Sequence, residues 1–153
     1  MKKRKMKNIE ACLTHKSDDW QTPKELYDPL MKMGYRDTFK YQSEENELEN
    51  NYYNEKLFIN PPFSKMKQVT EWIKQQYINN NEIILLIPAR TDTKYFHELL
   101  LLQPNIYMFK GRMHYNESKS APFPTIALIF NNKWLFKVQK YNYGDIKKFI
   151  KSL

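Results

Sequence analysis

Leu57-Phe58-Ile59-Asn60-Pro61-Pro62-Phe63 is the stretch that decides how the chain folds. Three apolar residues make a short strand, and the residues after it stop that strand abruptly. The two prolines fix φ and remove two backbone donors, so the turn is stiff and presents carbonyls. The side-chain oxygen of Asn60 and the main-chain carbonyl of Pro61 then stand as two candidate acceptors. Two acceptors holding both N–H bonds of a planar amino group would pull its nitrogen toward tetrahedral geometry. They would also stabilise the positive charge that develops when the nitrogen attacks an electrophile. Phe63 offers a ring that can stack on a flat base. The same four residues also serve as a plain rigid exit from a sheet, since Asn opens turns and Pro-Pro cannot continue a ladder.

Working outward, Val69, Trp72, Ile73 and Tyr77 fall on helical spacing and predict a helix over 65–77. Asn79-Asn80-Asn81 ends it. Ile83-Ile84-Leu85-Leu86-Ile87 is a continuous apolar run of strand length, as expected of a parallel strand buried on both faces. It stops at Pro88-Ala89-Arg90-Thr91-Asp92-Thr93, a helix cap for the segment carrying Phe96, Leu99 and Leu100. Residues 106–109 predict a strand and 116–124 a polar loop. Ala127–Phe130 and Trp134–Val138 predict an antiparallel hairpin across Asn131-Asn132-Lys133. An amphipathic helix closes the chain, with Ile146, Phe149, Ile150 and Leu153 on one face. Before the central stretch, Thr22, Pro23 and Glu25 have the pattern of a capping box with Pro at the first helical position. Pro29 should kink or shorten that helix, and Gly34 should close it. Phe39–Gln42 predicts a short strand. The acidic 43–51 segment predicts a loop or short exposed helix, the face least suited to nucleic acid. Strands alternating with helices give an α/β sheet.

At 153 residues the chain is expected to form one domain over 18–153, preceded by a basic, flexible tail over 1–17 with five cations in its first seven positions. Lys and Arg number 25 against 17 acidic residues, a net charge of +8. Such a balance suits a polyanion, nucleic acid above all. The single cysteine, Cys12, excludes an internal disulfide and a Cys-based zinc site, and no metal is expected. No apolar run reaches the ~18 residues of a membrane span, and no secretory signal follows the basic start. A cytoplasmic protein without membrane contact is expected.

With these residues in hand, the chain resembles the phage-type DNA N6-adenine methyltransferase family, compact S-adenosylmethionine-dependent enzymes often carried by phages. Four blocks carry the resemblance between Asp18 and about Phe130: Asp19-Trp20-Gln21-Thr22-Pro23; Asn60-Pro61-Pro62-Phe63; Pro88 to Thr93 with Phe96-His97; and Gly111-Arg112 with Ala121-Pro122-Phe123-Pro124. The resemblance implies a Rossmann-like methyltransferase sheet, mostly parallel, with the antiparallel hairpin at its C-terminal end. It implies S-adenosylmethionine as methyl donor and adenine in DNA as acceptor, flipped out of the duplex because its amino group is unreachable in the stack. Asn60, Pro61 and Phe63 would be catalytic and base-holding. Trp20, Thr22 and Pro23 would lie at the cofactor's methionine end. Arg90, Asp92, Arg112 and Lys119 would face the substrate. His97 matches a family position, with packing or a hydrogen bond as its expected role.

One stretch departs from the family. A strand ending in an acidic residue followed by small residues is usual after the first helix, whereas here Asp37 is followed by Thr38, Phe39, Lys40 and Tyr41, and no glycine occurs between 34 and 111. An adenosyl group needs close backbone approach and a carboxylate for its ribose. Asp37, Glu44 and Glu45 are the candidates. The alternative is therefore a methyltransferase fold that no longer binds cofactor and works as a DNA- or protein-binding module, alone, with a partner or as a homo-oligomer. A third reading moves the methyl transfer to an amide or an RNA base.

Overall fold

The computed structural model describes residues 20–40, 47–115, 119–131 and 140–153. Its helices are α1 (Lys24–Lys32), α2 (Met66–Ile78), α3 (Lys94–Leu100) and α4 (Ile146–Ser152). Its strands are β1 (Arg36–Asp37), β2 (Lys56–Ile59), β3 (Glu82–Pro88), β4 (Asn105–Phe109), β5 (His114–Tyr115), β6 (Lys119–Ser120), β7 (Thr125–Phe130) and β8 (Tyr141–Gly144). Six of them form a sheet in the order β1-β2-β3-β7-β4-β8, and β5 pairs with β6 apart from it.

The apolar run becomes the central strand. Ile83 to Ile87 are all fully buried, each such side chain contributing about 1.5–3 kcal/mol of transfer free energy. β2 lies parallel to β3, and β7 lies antiparallel to both β3 and β4. β1 and β8 extend the sheet in parallel at its two ends. Thus β1, β2, β3, β4 and β8 share one direction and β7 alone opposes them. The sheet is mostly parallel, as a methyltransferase-like fold requires. Residues 134–138, the second strand of the expected hairpin, lie outside the described residues, as do the basic tail and Cys12.

Both faces of the sheet are covered. Tyr107 on β4 sits beside Ala127 on β7, so the two share a face, and Phe149 of α4 packs on Tyr107 with centroids 4.9 Å apart. Phe130, three residues from Ala127, points to the other face and meets Tyr77 of α2. α4 packs with α1, and α2 with α3. None of the helices among the described residues is long and apolar enough to cross a membrane.

Several local expectations are corrected. Thr22 does not cap α1: the helix starts at Lys24, Pro23 occupies the cap position, and its carbonyl accepts from the Leu26 and Tyr27 amides. Pro29, expected to kink or shorten the helix, lies inside it. Fully buried Leu26 and Leu30 hold the helix in place, and it runs on to Lys32. Gly34 closes it with φ of 85°, its amide donating to Met31 and the Tyr35 amide to Leu30. Of the strand expected at 39–42, Phe39 and Lys40 are not in a strand and residues 41 and 42 lie outside the described residues; the strand present here is Arg36–Asp37. Phe39 leaves the strand direction to bury itself against Trp72, with centroids 5.6 Å apart. The 116–124 loop contains β6, paired with β5, and β8 carries no signal that the sequence reading used.

Candidate active site

All parallel strands end on the same edge, where open α/β sheets bind ligands. β2 delivers Asn60 there, β1 Asp37, β3 the Pro88-Ala89-Arg90 turn and β4 the segment from Lys110 to Arg112. β7 begins at that edge, just after Phe123 and Pro124.

Asn60 is 6% exposed, behind three fully buried residues of β2. Its Nδ2 donates to the main-chain carbonyl of Trp20 at 2.6 Å and to Thr22 Oγ1 at 3.0 Å. A carbonyl can only accept, so the atom facing Trp20 is the nitrogen and Oδ1 is turned away. Oδ1 is buried and has no hydrogen-bond partner among the described residues. Leaving such an acceptor unmet costs about 1–3 kcal/mol, which a ligand N–H would recover. Pro61 and Pro62 are both buried. The Pro62 carbonyl accepts from the Lys65 amide at 3.0 Å, opening the short 3₁₀ turn Phe63–Lys65 that leads into α2.

An aromatic wall stands beside Asn60. The Trp20 ring meets Tyr115 and Phe123 edge-on, with centroids at 5.6 and 5.2 Å, and Phe123 meets Phe63 at 5.5 Å. Phe63 is therefore embedded, 5% exposed, with its neighbour already against one side of the ring. The Trp20 indole N–H is also buried without a partner among the described residues. Tyr115, held at 3.4 Å from Thr125 Oγ1, is driven by burial far above the ordinary tyrosine value and stays neutral.

Two backbone bonds fasten the 121–124 segment to this wall. The Ala89 amide donates to Pro124 O and the Ala121 amide to Met113 O, each at 2.8 Å. The residues expected to face the substrate differ in their surroundings. Arg90 is half-buried, and its carbonyl accepts from Thr93 Oγ1 at 2.8 Å, so this hydroxyl donates backward and does not cap α3. Asp92 is exposed. Arg112 is also exposed, on the wall of an open cleft of about 640 Å³ that Pro23 lines as well. Lys119 begins β6 opposite Tyr115, and its side chain lies outside the described residues. His97 is exposed, with its ring edge-on to Phe96.

Asp37 ends β1 opposite Phe58, two residues short of Asn60 on the neighbouring strand. Burial raises its carboxyl above the usual range, while the Phe39 amide and the Tyr27 hydroxyl, donating to it, pull the other way. Thr38 and Phe39 after it are engaged elsewhere. Thr38 bonds the Phe58 carbonyl through both its amide and its hydroxyl, and Phe39 is buried against Trp72. A half-buried carboxylate beside the Asn60 strand fits the ribose of an adenosyl cofactor. Glu44 and Glu45 lie outside the described residues.

Sequence reasoning missed how Asn60 is held. The Trp20-Gln21-Thr22 block was visible, but nothing in it marks a main-chain carbonyl as the amide's anchor. Tyr115 was missed as well, because a two-residue strand has no periodicity to read.

A family model described as DNA N-6-adenine-methyltransferase (Dam) matches residues 11–134. That span contains Trp20 to Pro23, Asp37, Asn60 to Phe63, Arg90 and Arg112. No curated protein and no solved structure shows significant similarity to the chain.

Proposed function

We propose, since this chain belongs to the DNA N-6-adenine-methyltransferase (Dam) family, that it transfers a methyl group from S-adenosylmethionine to the N6 amine of adenine in DNA. One observation carries this reading: the buried Asn60 amide, tethered through its nitrogen, with its oxygen left unmet.

The cofactor supplies an electrophilic methyl group. Asp37 would hold its ribose hydroxyls, and Trp20, Thr22 and Pro23 its methionine end. Asn60 Oδ1 accepts an N–H bond of the amine, draws the lone pair out of conjugation and stabilises the charge that grows on nitrogen. The Pro61 carbonyl is the candidate second acceptor. Because Trp20 and Thr22 hold the amide before substrate arrives, little reorganisation is left for the reaction itself. The ring cluster of Trp20, Phe63, Tyr115 and Phe123 keeps water from this side. A base reaches it only out of the stack.

Asn60→Ala tests the reading. Methyl transfer to adenine-containing DNA should vanish while the circular dichroism spectrum stays that of the folded protein. Unchanged transfer would remove Asn60 from the mechanism. Calorimetric titration with S-adenosylmethionine and S-adenosylhomocysteine separates this reading from the binding-module one. A folded protein that binds neither, even with DNA present, is a binding module.

A further inference from the structure

We propose that the cleft between the start of α1, the β4–β5 turn and the start of α4 holds the phosphodiester backbone of duplex DNA beside the flipped base. The proposal rests on the methyltransferase reading above and adds to it the surface on which the substrate lies.

The cleft measures about 640 Å³ and is lined by Lys24, Lys110, Arg112 and Lys147 against two carboxylates, Glu25 and Asp145. The Asp145 Oδ1 accepts from the Lys148 amide at 2.8 Å, and the cations outnumber the carboxylates by two. Lys110, Arg112 and Lys147 are exposed, and none of them is in an ion pair among the described residues. Elsewhere, Arg36 pairs with Glu55 at 2.7 Å, and Lys74 with Glu71 and Glu98 at 2.7 and 3.0 Å. Four cations against two carboxylates leave the cleft net positive, and its concave walls focus that potential.

Its position suits a DNA strand leading to Asn60. Pro23 lines the cleft next to Thr22, which holds the Asn60 amide. On the other side Met113, also in the lining, accepts from Ala121 and so anchors the segment that carries Phe123. The cleft follows β4 and β8 at one end of the sheet, whereas Asp37 ends β1 at the other. The cofactor's ribose and the DNA backbone would thus lie toward opposite ends of one edge, with the segment from Trp20 to Pro23 between them. Phosphates are the matching ligand, because flexible lysines and a forked guanidinium around an open cleft read charge rather than shape.

Fluorescence anisotropy with a labelled adenine-containing duplex, across a salt series, is the test. Lys110→Glu with Lys147→Glu should weaken binding by about tenfold or more near 0.1 M salt and lower the log–log salt slope by about two. The paired control Lys32→Glu with Lys67→Glu makes the same charge change away from the cleft and should cost less than about threefold. The melting temperature and S-adenosylhomocysteine affinity should not move. If the reversed pair fails to fold, Lys110→Gln with Lys147→Gln should still lower the slope. Equal losses in the cleft and control pairs, or a cleft pair with wild-type affinity and slope, would overturn the proposal. Should the wild type methylate DNA while the cleft pair binds normally, the cleft alone is refuted. A wild type that neither binds nor methylates DNA refutes both readings.

Discussion

The Asn60 amide nitrogen donates to the Trp20 carbonyl at 2.6 Å across 40 residues of sequence, so the turn after β2 is positioned by the segment before α1. Thr22 Oγ1 supplies the second acceptor at 3.0 Å. This pair leaves the amide one orientation, with the buried oxygen turned away from both acceptors. Thr22→Val keeps the shape and removes one tether. The kcat for methyl transfer should fall about tenfold, since small misplacements of a reacting group are costly, with KM for DNA little changed. Thr22→Ser should restore most of the rate. A change in KM alone would show that Thr22 serves binding and does not orient Asn60.

Asp37 should trade stability for binding. Burial raises its folded carboxyl pKa above the ordinary 3.8. The folded state therefore holds the proton more tightly than the unfolded one, and stability falls as pH rises from 3.8 through the folded value. At pH 7 the charged carboxylate is a cost. Asp37→Asn should match or exceed the wild type in denaturant midpoint at pH 7, with the difference vanishing as pH falls to the unfolded value. Affinity for S-adenosylhomocysteine should drop in the same variant. Lower stability at pH 7 would mean that hydrogen bonds to the carboxylate outweigh its burial.

Much of this arrangement was legible because it is periodic. The run Ile83–Ile87, the strand before Asn60 and the spacing of Val69, Trp72, Ile73 and Tyr77 could each be assigned from the residues alone. What escaped were choices between competing partners. Thr22 has the spacing of a capping residue, yet its hydroxyl serves the buried amide of Asn60. Phe39 has strand propensity, but burial against Trp72 decides its place, and the strand ends before it at Asp37. The edge strand β8 was not read, since Tyr141 and Tyr143 on it are both exposed and show no alternation. In the site, Asn60 and its prolines were visible. The unmet Oδ1 was not, because it depends on where Trp20 and Thr22 fall in space.

Asn81 should be the most costly polar residue to lose near α2. It is fully buried, donating to Tyr52 O at 2.7 Å and Gln76 O at 3.0 Å while its Oδ1 accepts from the Glu55 amide at 2.9 Å. These bonds clamp the segment before β2 onto the end of α2. Asn81→Ala strands three backbone groups at about 1–3 kcal/mol each before relaxation. Denaturant unfolding should show a net loss of about 2–4 kcal/mol, and protection of the Glu55 amide against hydrogen exchange should fall. A loss below about 1 kcal/mol would show that water replaces the side chain.

Gly144 tests how tightly α4 is seated. Its φ is 154°, and a Cβ built there would lie 2.6 Å from the Tyr107 hydroxyl and 2.7 Å from Lys148 Cδ. Lys148 can swing into solvent. Tyr107 cannot, because its side chain is buried against Phe109 and Phe149 and its hydroxyl donates to Asp145 O at 3.0 Å. Gly144→Ala must therefore push that ring or lift the start of α4, at a cost of about 1–3 kcal/mol. Unfolding should shift to lower denaturant, and Tyr107→Phe in the alanine background should recover part of the loss by removing the clashing oxygen. If the double variant is no more stable than Gly144→Ala alone, the strain lies in the backbone and not at the hydroxyl.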